Sequence, residues 1–195
     1  VSIIRPRTIL GHGRLGIMQI LFEWIRNGWN VPVLGRGDNL YQFVHADDLA
    51  ESCWLAAERP GPEIYNIGAA QFESMRDSLQ GLIDHAGTGS RVVQLPASLA
   101  AWGMKVTGRL GISPLGDYHA LMYGRSFYFD IEKAVQHLGW RPRYGNVEML
   151  CESYDWYLRH REEVLVGREG SHHQRAVRQR ILHWIGWMMS FVKSA

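Results

Sequence analysis

The sequence is poor in cysteine, in long apolar runs and in net charge of either sign. Of its 195 residues only Cys53 and Cys151 are cysteines, and their spacing fits neither a disulfide framework nor a metal-ligand pattern. A reducing, cytoplasmic setting is the expectation, with both thiols packed as small core residues. No apolar run reaches the roughly 18 residues that a membrane-spanning helix needs. No basic stretch followed by an apolar one opens the chain, as a secretory leader would require. Lys and Arg number 21 against 19 Asp and Glu, a formal net charge of +2 that is too small to argue for a nucleic-acid partner. A dinucleotide-binding loop is also missing. Gly11-x-Gly13-x-x-Gly16 has the glycine spacing, but no acidic residue fit for a ribose lies about 20 positions on.

What is present is an alternation of short strands and helices, which makes the fold class α/β. Val1–Ile4 reads as a buried strand stopped at Pro6, which has no N–H to donate. It begins without a preceding cap or turn, so the expectation is that sequence upstream is missing. Leu15, Met18, Leu21, Phe22 and Ile25 recur at helical spacing within 14–27, and Gly28 closes that helix. Val31–Leu34 is a short strand beside a proline. Further along, Ile64–Ile67 and Arg91–Leu95 read as strands, and Ser74 caps a helix that Gly87 ends. Residues 97–110 look helical. Phe127–Phe129 is extended, Asp130 caps a helix over Ile131–Leu138, and the last helix of the domain runs over 146–160 with Leu150, Tyr154 and Leu158 on one face.

The stretch Leu34 to Ala50 organises the rest: a glycine-punctuated turn, a short strand and a helix start with carboxylates at its mouth. Strand ends that meet helix starts are where α/β proteins place ligand contacts. Asp48 with Glu51 resembles a capping box, and Leu49, Cys53 and Ala56 give the helix a buried stripe. His45 is expected to bond nearby backbone rather than to act as a base. At the other end, Arg175, Arg178, Arg180 and Lys193 lie among no acidic residues from Ser171 onward, while Val177, Ile181, Trp184, Ile185, Met188 and Val192 share one helical face. The expected organisation is a domain over 1–165, a linker over 166–174 and a basic amphipathic helix over 175–193. That helix suits an anionic membrane surface or docking on protein. His172, His173 and His183 show no metal-ligand arrangement.

Several pieces fall in the order of one family. They are Ile4-Arg5-Pro6 leading to Gly11-His12-Gly13; Gly35-x-Gly37 before Phe43-Val44-His45-Ala46-Asp47-Asp48-Leu49-Ala50; Tyr65-Asn66-Ile67-Gly68; Phe129-Asp130-Ile131-Glu132-Lys133-Ala134 with Leu138-Gly139-Trp140-Arg141-Pro142; and Tyr154-Asp155-Trp156-Tyr157. On these the chain resembles the C-terminal part of extended short-chain dehydrogenases/reductases, the NAD-dependent epimerase/dehydratase family. The resemblance implies the C-terminal portion of a Rossmann-type doubly wound fold, with a small mixed α/β substrate-binding domain. It also implies NAD or NADP as cofactor, a sugar-like or nucleotide-sugar substrate, and a homodimer for the intact protein.

In the family a Tyr-x-x-x-Lys pair does the proton transfer; none occurs here, so no catalytic residue is assigned in this chain and the chain alone is expected to be inactive. The resemblance places Pro6, Arg7 and Thr8 beside the cofactor and Thr8, Tyr41, Gln42 and Arg125 around the substrate. Tyr41 stands where nucleotide-sugar enzymes commonly carry an arginine that clamps the diphosphate, and a phenol cannot make that bidentate contact. Two alternatives therefore stay open: a reductase or dehydrogenase acting on a non-nucleotide substrate, and a non-catalytic membrane-peripheral scaffold. Liposome co-sedimentation tests the second. A membrane role requires pelleting with anionic but not with neutral vesicles, and loss of pelleting when 175–193 is deleted.

Overall fold

A computed structural model describes residues 1–96, 98 and 124–166. In chain order its elements are β1 (Ser2–Pro6), β2 (Thr8–Leu10), α1 (Met18–Arg26), β3 (Val31–Leu34), β4 (Phe43–His45), α2 (Ala46–Ala57), β5 (Glu63–Ile67), α3 (Met75–Ala86), β6 (Val92–Leu95), α4 (Glu132–Leu138) and α5 (Asn146–Val166). The helices expected over 97–110 and 175–193 lie outside the described residues. Strands pair in parallel twos: β1 with β5, β2 with β4, β3 with β6. Parallel partners need a crossover between them, and the intervening helices provide it.

Arg7 is where the chain changes sheets. Pro6 ends β1 opposite Ile67, the Arg7 N–H donates to the Ile67 carbonyl at 2.9 Å, and from Thr8 the chain pairs with β4 instead. Two apolar clusters result. The larger gathers α1, α3 and α5 with β3, and includes Phe22, Ile25, Leu79, Leu82, Met149 and Tyr157; the smaller packs Val44, Tyr65, Ile67, Ala134, Leu138 and Trp140. Successive strand residues point to opposite faces, so β4 feeds both, Phe43 into the first and Val44 into the second.

Helix α1 starts at Met18 rather than near 14, and every residue from Met18 to Ile25 is buried. It is therefore a central helix, not a surface amphipath, and it carries Glu23 inside. The Glu23 carboxylate accepts from Arg161 Nη2 at 2.8 Å, Arg26 Nη2 at 2.9 Å and Tyr157 Oη at 2.7 Å. Burial pushes the Glu23 carboxyl up, but the hydrogen bonds from Arg161, Arg26 and Tyr157 outweigh it and hold the group far below the usual carboxylate range.

Local end signals hold where no distant partner intervenes. The Ser74 hydroxyl caps α3 by accepting the Asp77 N–H at 3.1 Å, Gly87 and Gly139 close α3 and α4 in the left-handed conformation, and Asp130 Oδ1 accepts the Glu132 N–H at 2.8 Å. Helix α2 departs from expectation. It begins at Ala46, and its cap is His45 Nδ1, which accepts the Asp47 N–H at 3.2 Å. Asp48 is buried and does other work: its carboxylate takes the Arg143 and Tyr144 N–H groups and the Arg143 guanidinium, while its carbonyl takes the Trp140 indole N–H. That pull turns the helix so that Asp48, Ser52 and Ala56 face inward, and Cys53 is exposed rather than buried. Cys151 is half-buried, and burial pushes its thiol up to about 11. Leu158, expected inside, is 41% exposed, because Tyr157 takes the inward position beside Phe22.

The Glu23 cluster makes a pH prediction. A carboxyl depressed on folding contributes stability that is complete above its unfolded value near 4.5 and drains away as pH falls toward the folded value. Glu23→Gln should lower stability to urea at neutral pH by about 2 kcal/mol, less than a fully buried pair because both arginines reach solvent. The gap between wild type and variant should narrow as pH is taken from about 5 to about 3.

Candidate functional site

The turn between β1 and β2 and the segment leading into β4 lie side by side, as parallel pairing of β2 with β4 requires. Thr8 Oγ1 and Tyr41 Oη are hydrogen-bonded at 2.9 Å on an exposed surface. Beneath them runs Arg7, only 6% exposed. Its guanidinium lies 3.8 Å from the Phe127 ring centre, 5.1 Å from that of Tyr41 and 5.2 Å from that of Phe129, and Nη2 donates to the Phe127 carbonyl at 2.9 Å. A cation held between aromatic faces keeps its charge at little desolvation cost. Beside this stack opens a cavity of about 270 Å³ lined by Arg7, Thr8, Ile9, Arg14 and Gly16. Two arginines and a hydroxyl give that cavity a lining suited to an oxygen-rich, anionic ligand.

The residues singled out from sequence are not all brought together. Thr8 and Tyr41 meet directly, and Pro6, exposed at the end of β1, lies one residue from Arg7. Gln42 is fully buried: its Nε2 donates to the Ala69 carbonyl at 2.8 Å, and its Oε1 accepts the Phe129 N–H at 2.9 Å. Gly68 is needed for this, since a Cβ there would come 2.4 Å from the Gln42 amide carbon. Arg125 is exposed, and its carbonyl accepts from Asn39 Nδ2 at 3.3 Å. Arg14 was not foreseen. The only hint in sequence was a cation inside a glycine-rich loop that follows a strand.

Exposed Pro6 and Thr8 could border one end of a cofactor. Gly11 is taken up by packing: a Cβ there would meet Ala46 Cβ at 3.1 Å and His45 Nε2 at 3.2 Å, so that glycine makes room for the start of α2.

A parallel-stranded α/β chain with its polar pocket at a strand-to-loop turn is the class so defined. Residues 1–68 match the model of the NAD dependent epimerase/dehydratase family. Over 192 residues the chain is 48% identical to y4nG of Sinorhizobium fredii, a protein described as uncharacterized, covering 98% of this chain and 48% of that one. It is 30% identical over 143 residues to a dTDP-glucose 4,6-dehydratase of Streptomyces antibioticus, covering 72% of this chain and 36% of that enzyme. Among solved structures, the UDP-glucose 4-epimerase of Thermotoga maritima with UDP-glucose superposes with a TM-score of 0.61 at 20% identity, over 81% of this chain and 46% of that one. In motifs, family match and fold, the chain thus resembles the extended short-chain dehydrogenases/reductases of the NAD-dependent epimerase/dehydratase family. It spans about half the length, or less, of the relatives it matches.

Gln42 gives a direct check on how its amide is used. Gln42→Leu should lower stability by about 1–3 kcal/mol, by orphaning the Phe129 N–H and the Ala69 carbonyl, whereas Thr8→Val should change it by less than about 0.5 kcal/mol, as befits an exposed bond. Urea unfolding of both variants makes the comparison.

Proposed function

We propose that this chain forms the substrate-binding portion of an NAD(P)-dependent enzyme of the epimerase/dehydratase type, and that a sugar-like, hydroxyl-bearing substrate sits against Thr8, Tyr41 and the cavity between Arg7 and Arg14. The observation that carries the reading is the meeting of the Thr8 and Tyr41 hydroxyls at 2.9 Å beside an arginine-lined cavity. Each hydroxyl both donates and accepts, which suits the hydroxyls of a sugar ring; the Arg14 guanidinium would hold an anionic substituent and fix the ring's direction, with the buried Arg7 cation adding its field from beneath. NAD or NADP, when bound, supplies the hydride acceptor, with Pro6 and Thr8 bordering it. The work of these residues is orientation: a ring held in one pose turns an encounter into a nearly unimolecular step. Proton transfer in this reading belongs to residues beyond those assigned here.

Tyr41 favours a second reading. Its phenol, tied to Thr8, cannot grip a diphosphate in the bidentate manner of an arginine, and this supports a substrate without a nucleotide. Calorimetry separates the two. Under the first reading the chain binds UDP-glucose, and Arg14→Ala weakens that binding about tenfold, the loss of roughly 1.4 kcal/mol of charge-assisted contact; NADH binds poorly. Binding of UDP-glucose untouched by Arg14→Ala would overturn the cavity as the substrate site. Tight NADH binding by this chain would overturn the division of labour, and binding of a neutral sugar but not UDP-glucose would select the second reading.

A further inference from the structure

Three donor-bearing side chains from distant parts of the sequence meet away from the Thr8–Tyr41 pair. His12 lies in the loop after β2, His45 ends β4, and Glu152 sits on α5. His12 Nε2 is 2.8 Å from Glu152 Oε1, His45 Nε2 is 3.2 Å from Glu152 Oε2, and the ligand atoms all lie within 4.8 Å of one another. Two of these atoms are orphans. His45 Nε2 and Glu152 Oε2 are buried, and apart from their approach to each other at 3.2 Å, which is not a well-formed hydrogen bond, neither has a polar partner.

The imidazole is held in place. The His45 side chain is fully buried, Tyr144 stacks on it with ring centres 4.0 Å apart, and Gly11 leaves it room. A buried polar atom without a partner costs about 1–3 kcal/mol, and two orphans aimed at one point call for a shared partner. Two imidazoles and a carboxylate are the donor set of a divalent first-row transition ion. Bonds of about 2.0–2.2 Å around a tetrahedral zinc put its ligands roughly 3.4 Å apart, so an ion would need small outward shifts from the 2.8 and 3.2 Å imidazole–carboxylate contacts, within a set that already spans no more than 4.8 Å.

We propose that His12, His45 and Glu152 form a three-ligand site for a divalent transition-metal ion such as Zn²⁺, with a fourth position left for water on the half-exposed His12 side. The His45 tautomer is accounted for. Without metal, Nδ1 accepts the Asp47 N–H, so the ring proton sits on Nε2. A metal takes the Nε2 lone pair and the proton passes to Nδ1, so the Asp47 N–H gives up its cap on that nitrogen and the Asp47 carboxylate, its Oδ2 now 3.8 Å away, turns in to accept the Nδ1–H. No proton is gained or lost by the ring. The bound ion would tie the loop after β2, the start of α2 and helix α5 to one another, through residues other than those that line the cavity.

The test uses the whole 195-residue chain, stripped with chelator and titrated with Zn²⁺ by calorimetry, then with Co²⁺ by visible absorption. The expected result is one site with a tetrahedral Co²⁺ spectrum. His12→Ala and Glu152→Gln, both at partly exposed positions and each checked for folding by circular dichroism, should each weaken it tenfold or more, since loss of an outer-shell partner alone costs about 10–100-fold. Histidines of the linker could bind metal themselves, so His172→Ala/His173→Ala is the control and should bind as wild type. No binding, binding indifferent to His12→Ala and Glu152→Gln, or binding abolished in the linker variant would each overturn the proposal.

Discussion

A strand of three residues cannot satisfy its own backbone, and the segment from Leu40 to His45 is built around that shortage. Ladder pairing for β4 is available along one edge, through Thr8–Leu10 of β2. Side-chain amides and a passing loop supply the other contacts. Asn146, buried at the head of α5, accepts the Phe43 N–H with its Oδ1 and donates to the Tyr41 carbonyl with its Nδ2, imitating a neighbouring strand. The Phe127 N–H donates to the Leu40 carbonyl, and the Ala69 N–H to that of Phe43. Gln42 bonds to Ala69 and Phe129 from within. Each buried peptide group must find a partner, so three remote segments converge on one short strand, and the two apolar clusters are joined where Phe43 and Val44 diverge from it.

The polar surface near Thr8 inherits its geometry from this convergence. Tyr41 is fixed through its carbonyl by Asn146 and through its hydroxyl by Thr8, and the Phe127 loop that completes the strand also covers the Arg7 guanidinium. On the far side of β4 the same logic recurs with a carboxylate. Asp48 collects the Arg143 and Tyr144 N–H groups, and this sets the Tyr144 ring against His45. Positions that look like independent surface features are thus consequences of where buried backbone found its donors and acceptors.

That explains what could be read in the sequence and what could not. The alternation of short strands and helices, the Ser74 cap, the Gly87 and Gly139 stops and the extended Phe127 segment rest on neighbours within a few residues, and the structure shows them. Asp48 carried the local signature of a cap, but its partner Arg143 is remote in sequence, and a charge-assisted bond in a buried setting outweighs an exposed cap. Cys53 and Leu158 turned outward for the same kind of reason, since tertiary contacts chose the buried face. Near the candidate site, Arg7, Thr8 and Tyr41 were singled out through family resemblance, while the aromatic stack around the Arg7 guanidinium and the place of Arg14 in the cavity lining were not legible. His12, His45 and Glu152 share no spacing motif at all; only the fold brings them to one place.

All three ladders join strands that are not neighbours in sequence: β1 with β5, β2 with β4, β3 with β6. Among the described residues no strand pairs with the next one along, so no hairpin offers a local starting point. Closing distant segments before any ladder forms is slow, because chain entropy is spent ahead of the reward. As the chain emerges from synthesis, β1 must wait for β5 and β3 for β6, with Ile4 and Val33 uncovered in the interval. Helices α1 and α3, which precede β6 in the chain and share the larger cluster with Val33, are then the early shelter against which β3 waits.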